Sequence, residues 1–242
     1  MLLDKIKGVS SGTLLNKIKY FFCARKVGHA GTLDPIATGM FVICFGKATK
    51  LAKYLLNFDK KYKVVAKLGI STNTFDSDGK IRRISPVRLH DNELKQCIQS
   101  FIGIKKQIPP MFSALKHNGV PLYKYARQGI EITRKPRNVH IYDCRLLKKS
   151  NDIIELYIYC SKGTYVRSII NDIGEYLSCG AHVIELRRLS IGYFECSSMV
   201  TFKNLENIYY NNAFSDLEVL RKLDTLLVSV DNIKNMCMTI NT

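Results

Sequence analysis

The chain has 242 residues, enough to bury a substantial core as one large domain or two unequal ones. It is globular in composition, with 46% apolar and 10% aromatic residues, and Lys+Arg 37 against Asp+Glu 20 gives a net charge of +17. That exceeds what solubility requires and points to a polyanionic partner, nucleic acid first, with a solvated lysine-rich surface as the plain alternative.

No run reaches the roughly 18 apolar residues of a membrane span, and "MLLDKIKGVSSG" meets Asp4, Lys5 and Lys7 too early for a secretory signal. A cytoplasmic protein without a membrane partner is expected. Its eight cysteines, Cys23, Cys44, Cys97, Cys144, Cys160, Cys179, Cys196 and Cys237, form no C-x-x-C pair. They read as reduced small hydrophobes, neither zinc ligands nor a disulfide frame.

In chain order, "TLLNKIKYFFC" (13–23) has helical spacing after a Ser/Gly/Thr start. Next comes "VGHAGTLDPIATGMF" (27–41), where Gly28, Gly31, an Asp-Pro turn and Gly39 surround the lone carboxylate of Asp34. Glycine wastes folding entropy in a core strand and an unpaired carboxylate resists burial, so this stretch reads as an ordered loop that presents something. "MFVICFG" suits a buried strand, "KATKLAKYLLN" a basic amphipathic helix, and "YKVVAKLGI" a half-buried strand with Val64, Ala66, Leu68 and Ile70 on one face.

"STNTFDSDGKI", with Asp76, Asp78 and Gly79, reads as a plain turn, since the remaining ligands of a calcium loop are missing. Asp91 is placed to cap a helix whose Leu94, Cys97, Ile98 and Phe101 share a face, with Gly103 stopping it. "QIPPMFSALKHNGVPLYKYARQGIEITRKPR" holds four of the six prolines among basic and aromatic residues and suits an extension that clamps a ligand. Two strands follow, "NVHIYDCRLL" and "IIELYIYC". "SKGTYVRSIINDIGEYL" then turns into a helix with Thr164 as its cap and Ile169, Ile170, Ile173 and Leu177 inward. "GAHVIELRRLSIGYFE" adds a strand, and the rest is mostly helical in pattern. Without a regular βαβ alternation, the fold class is α+β.

A carboxylate acts as a covalent nucleophile when it is held ionised in a desolvated pocket, and Arg167, at the turn in "KGTYVR", is the natural counter-ion. The residues alone leave a turn aspartate and a surface arginine as the other reading. They likewise leave His29 as base, stacking ring or turn residue, and Tyr62 and Tyr165 as pocket aromatics or core. No G-x-G-x-x-G, P-loop, H-E-x-x-H or G-x-S-x-G is present to anchor a nucleotide-cofactor, metalloprotease or serine-hydrolase reading.

The blocks "LLDKIKGVSS", "GHAGTLDPIATG", "DKKYKVVAKLG", "IPPMFSALKHNGVPLYKYARQGI" and "CSKGTYVRSIINDIGEYLSCGAHVIELRR", in this order, resemble the TruB-type tRNA pseudouridine synthases from about residue 2 to about residue 230. The resemblance implies a pseudouridine synthase fold: a mixed, mainly antiparallel sheet flanked by helices, in one catalytic domain over 1–242 with a thumb-like insertion at about 108–137. It implies isomerisation of the uridine at position 55 in the T-loop of tRNA. Asp34 falls on the attacking aspartate, His29 on the histidine that fills the space vacated in the RNA loop, Tyr62 on the tyrosine stacked on the base, and Arg167 on the arginine that pairs with the aspartate. Tyr165 and Leu186 match substrate-pocket positions. A monomer is expected, with tRNA as partner and neither a metal nor an organic cofactor.

Extrusion of a base from its stack, and its seating among aromatic and apolar surfaces, fits such chemistry. Ile6 departs from the family's proline, and a chain ending at Thr242 leaves no room for the family's C-terminal PUA domain. The competing class is a non-catalytic tRNA-binding or tRNA-folding module. A glycosidase is disfavoured because the loop offers one carboxylate where that mechanism uses two.

Overall fold

The computed structural model describes residues 1–231, which leaves Cys237 outside the described residues. The chain forms two compact units, Met1–Lys60 with the stretch from Arg187 onward, and Lys61–Leu186.

The first unit opens with β1 (Leu2–Lys5) and α1 (Ser11–Phe21). The α1 helix starts two residues earlier than its apolar spacing suggests because Ser10 caps it, accepting from the Thr13 amide at 3.0 Å. Then come β2 (Val27–His29) and β3 (Ala37–Phe45), paired antiparallel with His29 opposite Ile43. β3 pairs antiparallel with β1, Leu2 opposite Val42. The basic helix expected over 47–57 is only partly α: Gly46–Leu51 forms a 3₁₀ turn and α2 spans Ala52–Leu55.

The second unit begins within β4 (Lys60–Leu68), where Tyr62, Val64, Ala66 and Leu68 are buried on one face. Gly69, in the left-handed region, ends that alternation, so Ile70 opens a separate strand. That strand, β5 (Ile70–Thr72), pairs with β6 (Ile81–Ile84) across the "STNTFDSDGKI" loop. The next helix, α3 (Asp91–Ser100), has His90 at its cap position, so Asp91 sits in the first turn, where its charge suits the helix dipole. Gly103 starts β7 (Gly103–Gln107).

The insertion follows, with β8 (Lys116–His117), β9 (Val120–Pro121) and α4 (Leu122–Arg127). β10 (Arg137–Ser150) pairs antiparallel with both β7 and β11 (Ile153–Cys160), and β4 is next in order beyond β11. α5 (Val166–Tyr176) buries Ile169, Ile170 and Ile173, each contributing about 2 kcal/mol by leaving water. Leu177 just past its end is buried too, and α3 packs on β10 and α5. Thr164 does not cap this helix: its hydroxyl donates to the Ser161 carbonyl at 2.9 Å and Tyr165 holds the cap position.

β12 (Ala181–Ile191) runs from the second unit into the first, where β13 (Phe194–Glu195) pairs with its end. β14 (Val200–Thr201) lies parallel to β1, making this sheet mixed; α6 (Phe202–Tyr209) and α7 (Asp216–Asp224) follow. The first unit's core gathers Leu2, Met40, Val42, Leu55, Phe58 and Ile191. The strands and helices do not alternate as βαβ units, which makes the fold α+β. Among the described residues, no helix is long and apolar enough to cross a membrane. Cys44, Cys97, Cys144, Cys160 and Cys179 are buried, and burial pushes the Cys97 and Cys144 thiols up to about 12, so both stay protonated.

Candidate active site

In the first unit, Asp34 opens a four-residue turn into β3. The Ala37 amide donates to the Asp34 carbonyl at 3.0 Å, and Pro35 presets the backbone angle that such a turn needs. The Ser11 hydroxyl fastens the preceding residue, donating to the Leu33 carbonyl at 2.7 Å and accepting from the Leu33 amide at 2.9 Å. Two buried cations lie under the loop. Lys5 donates to the carbonyls of Ile6, Pro35 and Ala37 at 2.9, 3.2 and 2.7 Å. Arg188 donates through Nε to the Met40 carbonyl at 2.7 Å and through Nη2 to the Gly31 carbonyl at 3.0 Å.

Burial drives the Lys5 ammonium down to about 8; the Asp34 carboxylate opposes the shift and Arg188 adds to it. The turn that carries Asp34 is therefore held from below by positive charge as well as by hydrogen bonds. Gly39, at φ +94°, lies so close to β12 that a Cβ there would collide with the Arg188 backbone.

His29, on β2, sets its ring 5.1 Å from that of Phe41 at 35°. Burial, with Arg188 adding, lowers its pKa and favours the neutral ring, and its buried Nδ1 has no hydrogen-bond partner among the described residues.

The second unit holds Tyr62, Tyr165, Arg167 and Leu186. Arg167, on the first turn of α5, is buried, and its guanidinium donates to the Thr74 carbonyl at 2.6 Å and the Phe112 carbonyl at 2.9 Å. Its Nε lies 3.5 Å from the carboxylate of Asp76, itself buried. Asp76 in turn accepts from the Thr74 hydroxyl at 2.5 Å and the Asp78 amide at 3.1 Å. The loop read as a plain turn thus supplies a buried counter-ion, aimed by its own short-range bonds.

Tyr165 is gripped from two sides. The Gln107 side chain accepts from its amide at 2.8 Å and donates to its carbonyl at 3.1 Å, and Arg137 lies over its ring at 4.9 Å while bonding the Gly163 carbonyl. Tyr62 and Leu186 are buried on β4 and β12. Lys5, Asp76, Gln107 and Arg188 were not singled out in sequence. The aspartate's D-x-D-G setting signals only a turn, and the other three carry no local mark.

Two family models cover most of the chain: "TruB family pseudouridylate synthase (N terminal domain)" matches residues 19–166 and "tRNA pseudouridylate synthase B C-terminal domain" residues 167–233. The chain belongs to the TruB family of pseudouridylate synthases. Among TruB relatives, the tRNA pseudouridine synthase B of Blochmanniella pennsylvanica is 64% identical over 233 residues, covering 96% of this chain and 90% of the relative. That of Blochmanniella floridana is 59% identical over 237 residues, 98% and 92% of the two chains. That of Buchnera aphidicola from Acyrthosiphon pisum is 47% identical, covering 96% and 74%.

The fold is similar to a chain of a Cbf5–Nop10–Gar1 complex, at TM-score 0.70 and 28% identity over 92% of this chain and 58% of that one. It is also similar to one of an H/ACA RNP bound to a substrate RNA containing 2'-deoxyuridine, at TM-score 0.65 and 25% identity, covering 92% and 57%. This agrees with the pseudouridine synthase fold expected from the motif blocks.

Proposed function

We propose that this TruB-family chain isomerises uridine to pseudouridine in tRNA, at position 55 of the T-loop, with Asp34 as the nucleophile. The observation that carries the reading is identity of 59–64%, over nearly the whole of this chain, to two tRNA pseudouridine synthases B, in a chain that keeps the G-H-x-G-x-L-D-P block around Asp34. The reaction exchanges the bond from sugar to ring nitrogen for one to ring carbon, and the hydrogen lost at that carbon is restored at the nitrogen. No redox change or external group is needed. In the proposal the Asp34 carboxylate attacks the nucleoside, the uracil is released and turns, and its carbon rejoins the sugar as the carboxylate leaves.

The other roles follow. Tyr62 stacks on the extruded base, Tyr165 and Leu186 line its pocket, Arg167 is the counter-ion of Asp34, and His29 takes the place the base leaves in the RNA loop. The buried guanidinium of Arg167 and the doubly held Tyr165 support these roles, since a site must be preorganised before charge develops. The insertion exposes Ile108, Leu115, Val120 and Ile130, apolar surface suited to closing over a splayed loop. The protein acts as a monomer in the cytoplasm, where its substrate resides.

The test is conversion of a T-loop stem-loop transcript by purified protein without additives. Asp34→Asn is expected to lower turnover by at least about 10³-fold while RNA still binds. Conversion by the variant at the parent rate removes Asp34 from the mechanism, and tight binding without conversion by the parent favours the non-catalytic module.

A further inference from the structure

A cavity of about 350 Å³ opens in the second unit between the root of the insertion, the β5–β6 loop and the outer side of α5. None of the six residues assigned above lines it. It is nevertheless adjacent to them in the chain: Ser168 follows Arg167, and Met111 precedes Phe112, whose carbonyl binds Arg167.

Two of its lining side chains have unspent hydrogen-bonding capacity. Ser168 is 3% exposed, and its hydroxyl has no partner among the described residues, not even the helix carbonyl that a buried helical serine ordinarily finds. The Nε of Arg134 is likewise buried and unpartnered, although that guanidinium reaches Glu131 at 3.2 Å through Nη2. A buried unsatisfied group carries a desolvation cost, which something seated in the cavity would relieve.

The rest of the lining describes what would be seated. Phe75 with Pro109, Pro110 and Met111 offers flat apolar surface to a ring. Asn73, Asn171 and Asp172 offer amide and carboxyl groups suited to a ring's polar edge. Burial pushes the Asp172 carboxyl up, with Glu175 adding and the Asn171 amide opposing. Arg82 and Lys106 add positive charge beside Arg134. A flat ring with a hydrogen-bonding edge and an attached anion is a nucleotide, and the volume falls in the range of small-ligand sites.

We propose that this cavity is a second nucleotide site, seating the base and phosphate of a nucleotide other than the isomerised uridine. The nucleotide comes from the bound tRNA or from solution; the tRNA source rests on the function proposed above, the free source does not.

The test uses the full chain and an Arg134→Ala/Asn171→Ala variant, both residues being only partly buried, with an unfolding curve to show that the variant keeps its fold. Equilibrium dialysis measures binding of each of the four nucleoside 5′-monophosphates up to about 10 mM, and stem-loop and tRNA conversion give KM and kcat. Saturable binding of a mononucleotide, weakened at least 10-fold in the variant, is the expected result. Competition with tRNA and a KM raised 5-fold or more at unchanged kcat mark the tRNA as source, and that rise supports the site even where no mononucleotide binds alone. Binding alongside tRNA with unchanged KM marks the free nucleotide. The proposal falls if the variant binds mononucleotide as the parent does, or if no mononucleotide binds and the variant's KM is unchanged. A parent protein that converts no RNA overturns the function reading and leaves the dialysis result standing.

Discussion

Lys5 ends in an ammonium that touches three backbone carbonyls and almost no water. In the sequence it resembles the surface lysines around it, because burial of a charge depends on the carbonyls that converge on it, two of them some 30 residues away. Its pKa falls from 10.5 to about 8 on folding, so between those values the unfolded chain holds a proton that the folded chain has released. Stability due to this residue therefore rises from pH 8 to 10.5 and is flat below 8. Lys5→Met is expected to lose that rise, checked as the difference in unfolding free energy between parent and variant at pH 7 and pH 10. Asp76 and Arg167 form the opposite case, a buried pair in which removing one charge takes a close buried counter-charge from the other. Asp76→Asn is expected to destabilise the fold by about 3 kcal/mol, read from the urea midpoint at constant slope, and to lower turnover by loosening the guanidinium.

The strands β4, β10 and β11 and the isoleucine stripe of α5 were legible because one buried face imposes a period on the residues themselves. The Asp34 turn was legible for a different reason, its glycine and proline chemistry. Two local readings failed: the helix over 47–57 is 3₁₀ over its first part, and the Thr164 hydroxyl, expected to cap α5, donates instead to the Ser161 carbonyl while Tyr165 holds the cap position. The buried counter-ion of Arg167 was hidden in a turn motif 91 residues upstream. Gly39 shows both levels at once, legible as a pliable residue but not as a point where two strands nearly touch. Gly39→Ala must adopt a left-handed backbone and displace Arg188, so a loss of roughly 2–4 kcal/mol is expected, measured by thermal or urea unfolding.

A net charge of +17 sets how the whole molecule meets RNA. If its basic surface neutralises about six phosphates, the tRNA association constant falls roughly 10³-fold between 50 and 200 mM salt, and a filter-binding series gives the slope. An affinity indifferent to salt would assign binding to the aromatic and apolar contacts instead. The insertion enters this scale through its anchorage. Gln107 and Arg137, where the chain leaves and rejoins the sheet, are strand partners, so the residues between them are spliced into a hairpin that is already closed. Such a cassette can lengthen, shorten or change its chemistry without shifting any ladder behind it. Yet the same two residues grip Tyr165, so a descendant that rewrites the cassette to suit a new RNA inherits an unaltered seat for the ring.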